Sequence, residues 1–174
     1  IMGITGREGS RLSIEGCKIL DNSWDGITLY RSDLRDPDSQ PQATIINNEI
    51  GCTSNCVNPR GRGVGVGVTW DAEATVINNH VHHYWKGIGA FDTTQVTVAN
   101  NIVEHQVGWG IIATGESTMN VLNNIIAHNG TTGLAAWNPE VNARFVNNIV
   151  WNNGIADDEW VGKRTGLWLN APQT

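Results

Sequence analysis

A pair of asparagines set in a short apolar run recurs along this chain, and that recurrence constrains the fold more than any other feature. ATIINNEI (43–50), ATVINNHV (74–81), VTVANNIV (96–103), MNVLNNII (119–126) and ARFVNNIV (143–150) align without a gap. LSIEGCKI (12–19) is a weaker copy, with Gly16-Cys17 in place of the Asn pair. The second residues of the pairs are Cys17, Asn48, Asn79, Asn101, Asn124 and Asn148, spaced by 31, 31, 22, 23 and 24 residues. A second series runs in step: Gly3-Ile4, Gly26-Ile27, Gly65-Val66, Gly87-Ile88, Gly110-Ile111, Gly133-Leu134 and Gly166-Leu167. The unit is about 23 residues, interrupted by insertions near 31–42, 52–64 and 154–164. A fixed period of this size marks a repeat architecture, in which each unit buries its apolar face only against its neighbours.

Within each unit the apolar positions alternate with period two, as at Val96, Val98 and Val103, and period two means strand. Between them runs a polar column, Ser13, Thr44, Thr75, Thr97, Asn120 and Arg144, expected to face water. Gly and Asn, which tolerate left-handed backbone, separate runs of three to five strand residues. No stretch sustains a 3.6-residue period, and the Gly and Asn density disfavours helix. Each unit therefore predicts three short strands, and units stacked about 4.8 Å apart predict an all-β solenoid of about six coils. Asn47, Asn78, Asn100, Asn123 and Asn147 share one column, where their amides are expected to hydrogen-bond along the axis. Each such bond is worth about 0.5–1.5 kcal/mol net.

The Asn pairs and the N-N-x-[IV]…G-[IV] rhythm resemble the right-handed parallel β-helix of the pectate-lyase-like proteins, over nearly the whole chain. The resemblance implies a right-handed parallel β-helix with Asn and Gly ladders, and a sugar groove on the face of the first strand and its flanking loops. It is specific for fold and weak for activity, because many functions use this scaffold. The aspartate, histidine and lysine motif set of polygalacturonases is absent.

Parity along the first strand puts Thr5, Thr28, Gly67, Gly89, Ile112, Ala135 and Trp168 in one outward column. The next is Arg7, Tyr30, Thr69, Phe91, Thr114, Trp137 and Asn170. Trp24, Trp70, Trp85 and Trp109 lie at the edges of the same strand. Flat rings beside a polar rim suit sugar rings, whose C–H faces are apolar and whose edges carry hydroxyls. The substrate-binding candidates are thus Trp24, Tyr30, Trp70, Trp85, Phe91, Trp109, Trp137 and Trp168. The same rings could instead pack under the insertions or on a partner. For cleavage, a glycosidase needs two carboxyls about 5–9.5 Å apart, and Asp71 and Asp92 are in reach of one another on adjacent coils. A lyase needs a base and a cation at the developing enolate. The candidates are Asp25, Asp71, Asp92, Lys86 and Arg62, with Ca2+ an expected cofactor only for a lyase. Glu73, Glu116, Glu140, Arg31 and Arg60 border the same face.

The leading functional expectation is a secreted module that binds a polysaccharide, with cleavage of that polymer as its extension. The alternative is a non-catalytic scaffold or adhesin segment. A third reading comes from Asp21, Cys52, His83, His105, His128 and Asn152, which share a column. Three stacked imidazoles could bind Cu or Zn, as in the periplasmic copper-delivery proteins of β-helical type that the column resembles. Its inward parity favours a hydrogen-bonded interior stack, so no metal ligand is assigned; His80 and His82 are expected to face outward. Ile46, Ile77, Ala99, Leu122 and Val146 form an apolar column with outward parity, expected to meet a second copy or a flanking segment unless the strand bends to tuck it inside.

Composition narrows the classes. Eleven basic against 17 acidic residues give a net charge of −6 and a pI of about 5.2, which argues against a nucleic-acid backbone binder. No apolar run approaches the roughly 20 residues of a membrane span. Ile1 begins the chain with no charged-then-apolar leader, and neither end shows an amphipathic cap, so residues 1–174 are read as one domain of a larger protein. Cys52 and Cys56 in GCTSNC either close a short disulfide or remain loop thiols. A disulfide would fit an extracellular or periplasmic place. Asn129-Gly130-Thr131 is a formal glycosylation sequon.

Overall fold

Three strands form in each repeat, and each pairs in parallel with its equivalents one repeat before and after. The computed structural model describes residues 2–33, 35–53, 63–156 and 164–170. Coil 1 holds β1 (Ile4–Arg7), β2 (Arg11–Glu15) and β3 (Lys18–Leu20). Coil 2 holds β4 (Ile27–Tyr30), β5 (Gln42–Ile46) and β6 (Glu49–Gly51). Coil 3 follows with β7 (Val64–Thr69), β8 (Glu73–Ile77) and β9 (His80–His82), then coil 4 with β10 (Lys86–Phe91), β11 (Gln95–Ala99) and β12 (Ile102–Glu104). Coil 5 is β13 (Trp109–Ala113), β14 (Thr118–Leu122) and β15 (Ile125–Ala127); coil 6 is β16 (Thr132–Ala136), β17 (Asn142–Val146) and β18 (Ile149–Trp151). β19 (Thr165–Leu169) continues beyond them. First strands make a seven-stranded sheet, second strands a six-stranded sheet and third strands another, all in unbroken coil order. The one helical turn among the described residues is the 3-10 segment Pro37–Ser39. The expected β-solenoid, with its stack of six coils, is the observed architecture.

The interior is filled by columns that the alternation predicts. Ile27, Val66 and Ile88 from the first sheet, Val76 and Val98 from the second, and Ile50, Val81 and Val103 from the third are all fully buried. Each such side chain contributes roughly 1.5–3 kcal/mol on burial before entropy is counted.

The Gly column has a steric cause. Gly87 does not sit in left-handed backbone; a Cβ there would stand 2.5 Å from the Gly110 carbonyl oxygen and 2.5 Å from Val103 Cγ1. Only a residue without a side chain lets the first strand pass the third this closely.

The corners work differently from the sequence expectation. The first Asn of each pair, Asn47, Asn78, Asn100, Asn123 and Asn147, adopts φ of 54–58° and faces out. The hydrogen-bonding amide is the second one. Asn79 N–H donates to Asn101 Oδ1 at 2.8 Å, Asn101 N–H to Asn124 Oδ1 at 2.9 Å, and Asn124 N–H to Asn148 Oδ1 at 2.9 Å. Asn101 Nδ2 also donates to the Val76 and Ala99 carbonyls. The left-handed residue turns the chain and so flips the parity, which sends the following side chain inward.

The same device closes the next corner. Asp21, His83, His105, His128 and Asn152 have φ of 49–59°, and an inward amide follows His105, His128 and Asn152. Tyr84 N–H donates to Gln106 Oε1, Gln106 N–H to Asn129 Oδ1 and Asn129 N–H to Asn153 Oδ1. The His83, His105 and His128 rings therefore stand outside the solenoid, not in an interior stack. His82, expected outward and open, is 8% exposed. Asn129 is fully buried in its ladder, so the sequon is not presented at the surface.

Candidate functional site

The outer face of the first sheet carries two aromatic groups separated by a strip of small residues. Toward the first coils, Tyr30 meets Trp70 edge-on at 6.1 Å between centroids, and the Arg7 guanidinium lies 4.8 Å over the Tyr30 ring. Trp24 and Trp70 are 48% and 46% exposed. Trp70 is held out by its own left-handed backbone, φ 50°. Toward the last coils, Trp85, Trp109, Trp137 and Trp168 touch in sequence at 6.0, 5.7 and 4.2 Å. They cover Ile112 and Ala135 and form an outer hydrophobic layer with Phe91 and Val107.

Outward parity was therefore only half the answer for these rings. Trp85 and Trp109, expected to present ring faces, are 7% and 5% exposed, because Ile112 and Ala135 beneath them are also apolar and the rings close over them. Phe91, Trp137 and Trp168 are half-buried. The Trp109 Nε1–H is buried with no hydrogen-bond partner among the described residues. Open ring surface belongs to Trp24 and Trp70.

Lys86 lies against the second group. Its ammonium is 5.6 Å from the Phe91 and Trp109 ring centroids and 6.0 Å from that of Trp85. The floor beside it is Gly67 and Gly89, paired in register. The Phe91 ring occupies the space a Cβ on Gly89 would need. Burial holds the Lys86 amine below its ordinary range, and Asp25 partly opposes this.

The acidic candidates are each engaged in structure. Asp25, 6% exposed, accepts from Thr28 Oγ1 at 2.6 Å and from the Val64 N–H at 2.7 Å. Asp71 pairs with the buried Arg31 at 2.9 Å and accepts from Thr93 Oγ1. Arg31 in turn anchors the first insertion through the Asp36 carbonyl and Ser39 Oγ. Asp92 accepts from Thr69 Oγ1 at 3.0 Å. The register Thr69 to Phe91 sets Asp71 beside Thr93 and Asp92 beside Trp70, so the two aspartates do not occupy matching columns. Glu73 is held by Gln40 and Gln42, while Glu116 and Glu140 are exposed. Arg60 and Arg62 lie outside the described residues.

A groove of about 510 Å3 lies away from the aromatic face. It runs along the second sheet over Ser13, Thr44, Thr75 and Thr97, beside Arg11 and Glu73. A smaller one, about 410 Å3, sits at the Arg31–Asp71 corner with Thr93 and Glu116. Neither contains an aromatic ring, and an extended polymer chain lying along a sheet needs a flat strip more than an enclosed volume.

Sequence reasoning missed the corner ladder of Gln106, Asn129 and Asn153, whose signal is an amide five residues after Asn101, Asn124 and Asn148. Cys52 is disulfide-bonded and Cys17 is free; Cys56 lies outside the described residues. Among the described residues no group of three or more His, Cys, Asp or Glu is arranged to hold a metal ion. No helix there is long and apolar enough to cross a membrane, which leaves strand-based spans unaddressed.

No curated protein and no solved structure matches the chain. The family described as a right handed beta helix region matches residues 2–170, in keeping with the parallel sheets set out above. By that match, over almost its whole length, this chain belongs to the right-handed β-helix family.

Proposed function

We propose that the chain is a polysaccharide-binding β-helical module that holds an extended glycan on the outer face of its first sheet. The observation that carries this reading is the exposed ring of Trp70, edge-on to Tyr30, with the exposed Trp24 at the other end of the same pair of strands and Gly67 between. Open rings offer apolar stacking surface, and Arg7 and Lys86 supply donors at its border. The buried Trp layer is the rigid backing. Binding without cleavage is favoured because Asp25, Asp71 and Asp92 are committed to hydrogen bonds or ion pairs in different columns, whereas glycosidic cleavage needs two carboxyls facing one bond. The Cys52 disulfide supports an extracytoplasmic place.

A screen of the purified chain on a glycan array, with assays for new reducing ends and for unsaturated sugar products, tests the proposal. Binding is expected, and it should weaken at least about tenfold in Trp70→Ala, the order of one lost ring contact. New chain ends would replace binding by catalysis. Unchanged affinity in both Trp70→Ala and Trp24→Ala would remove the groove from this face.

A second reading, a scaffold that meets a partner, rests on a ridge beside the Asn corner. Ile46, Ile77, Leu122 and Val146 are half-exposed, and Ile102, Ile125 and Ile149 across the turn are 41%, 41% and 59% exposed. Sedimentation of the pure chain separates the two: self-association lost in Ile125→Asp would support it.

A further inference from the structure

All five histidines of the chain lie on one edge of the solenoid. His80 and His82 stand on β9 with ring centroids 4.6 Å apart, and His82 Nδ1 is 2.9 Å from His83 Nδ1. His83 stacks on His105 at 5.4 Å and 6°, and His105 on His128 at 5.1 Å and 18°. Trp151 closes the row edge-on at 4.7 Å, and the Asn152 amide meets His128 Nδ1. The contacts form one continuous chain across coils 3 to 6.

In coils 4 and 5 the backbone bonds of this corner are longer than those of the Asn corner, whereas in coil 1 Asp21 N–H donates to the Gly51 carbonyl at 3.0 Å. His105 N–H donates to the Ala127 carbonyl at 3.3 Å, His128 N–H to Trp151 at 3.2 Å, and Cys52 N–H to His82 at 3.3 Å. The equivalent bonds at the Asn corner, from Asn47, Asn78, Asn100 and Asn123, measure 3.2, 3.1, 3.0 and 2.9 Å.

We infer that this edge is an acid-labile seam: protonation of the imidazole row parts the third-sheet corner of coils 3 to 6, while the Asn corner stays closed. The charged groups facing it are few. Lys18 and Asp21 come from coil 1, Glu49 from β6 and Glu104 from β12. Glu104 lies 2.9 Å from His80 and 3.6 Å from His105, and Glu49 is 3.7 Å from His82. Glu49 is held below the ordinary carboxylate range by the Lys18 ammonium, and Asp21 by hydrogen bonds from Thr53. These carboxylates therefore keep their charge while histidine titrates. His83 and His128 have no carboxylate within 4 Å among the described residues.

The direction follows from burial. Burial and the neighbouring imidazoles hold His82 and His83 below the usual value of 6.5. The unfolded chain then binds more protons than the folded one. Their contribution to stability is complete above 6.5 and is lost as pH falls through the lower folded-state values.

Hydrogen exchange of the backbone amides, corrected for intrinsic rates and run with a chelator at about pH 7.5 and about pH 5, reads the seam directly. Protection of the His105 and His128 amides should fall by roughly tenfold more than that of Asn100 and Asn123. The triple variant His83→Asn, His105→Asn, His128→Asn keeps the left-handed corner, since Asn152 holds the same position at φ 49°. It should abolish the difference. An equal loss at both corners, or a loss that survives in the triple variant, overturns the seam. So does imidazole titration of His82 and His83 in the intact chain at or above 6.5, seen by NMR without any substitution.

Discussion

Replacing Asn101 by alanine should cost about 3 kcal/mol, because several hydrogen bonds are lost and the buried Asn79 N–H is left without an acceptor. Replacing its exposed neighbour Asn100 by glycine should change stability by less than about 0.5 kcal/mol, since glycine accepts φ of 57° freely. Urea midpoints of the two variants check this contrast. The two asparagines are adjacent and equally invariant within the repeat, so spacing alone could not say which one bonds. The same blind spot put the histidines inside. Counting by twos holds only along extended backbone, and a single left-handed residue inverts the count for everything beyond it.

At the level of the strands, the interior columns and the sheet order were legible because burial repeats the same residue type at every turn. The outer face of the first sheet was legible only as a set of columns. Whether a ring stands up or lies down depends on what is beneath it: Ile112 and Ala135 draw Trp85 and Trp109 down, while the turn backbone keeps Trp70 up. Lys86 lies within that buried layer, where burial disfavours the charged amine relative to the unfolded chain. A folded-state value below the usual one is then a net cost at neutral pH. Lys86→Met, which keeps the length and removes the charge, should therefore raise the thermal midpoint at pH 7, with the gain disappearing at strongly alkaline pH. A lower midpoint would show that its contacts with three aromatic faces outweigh desolvation.

For the molecule as a whole, stability is close to a sum over coils and their contacts. A cavity in an inner coil is felt on two sides. Ile111→Ala, at 1% exposure in coil 5, should cost about 2–5 kcal/mol. Leu167→Ala, at 46% exposure on β19, should cost under about 1 kcal/mol, as measured by denaturant unfolding. The two amide-locked corners have a consequence for how such a chain avoids misassembly. Parallel strands of Val and Ile could slide past one another by two residues and still bury the same kind of side chain. Each slide would strand the amides of Asn48, Asn79, Asn101, Asn124 and Asn148 at one corner and those of Gln106, Asn129 and Asn153 at the other. Fidelity of stacking is thus carried by the polar minority, and the apolar columns, for all their bulk, are nearly indifferent to which neighbour they meet.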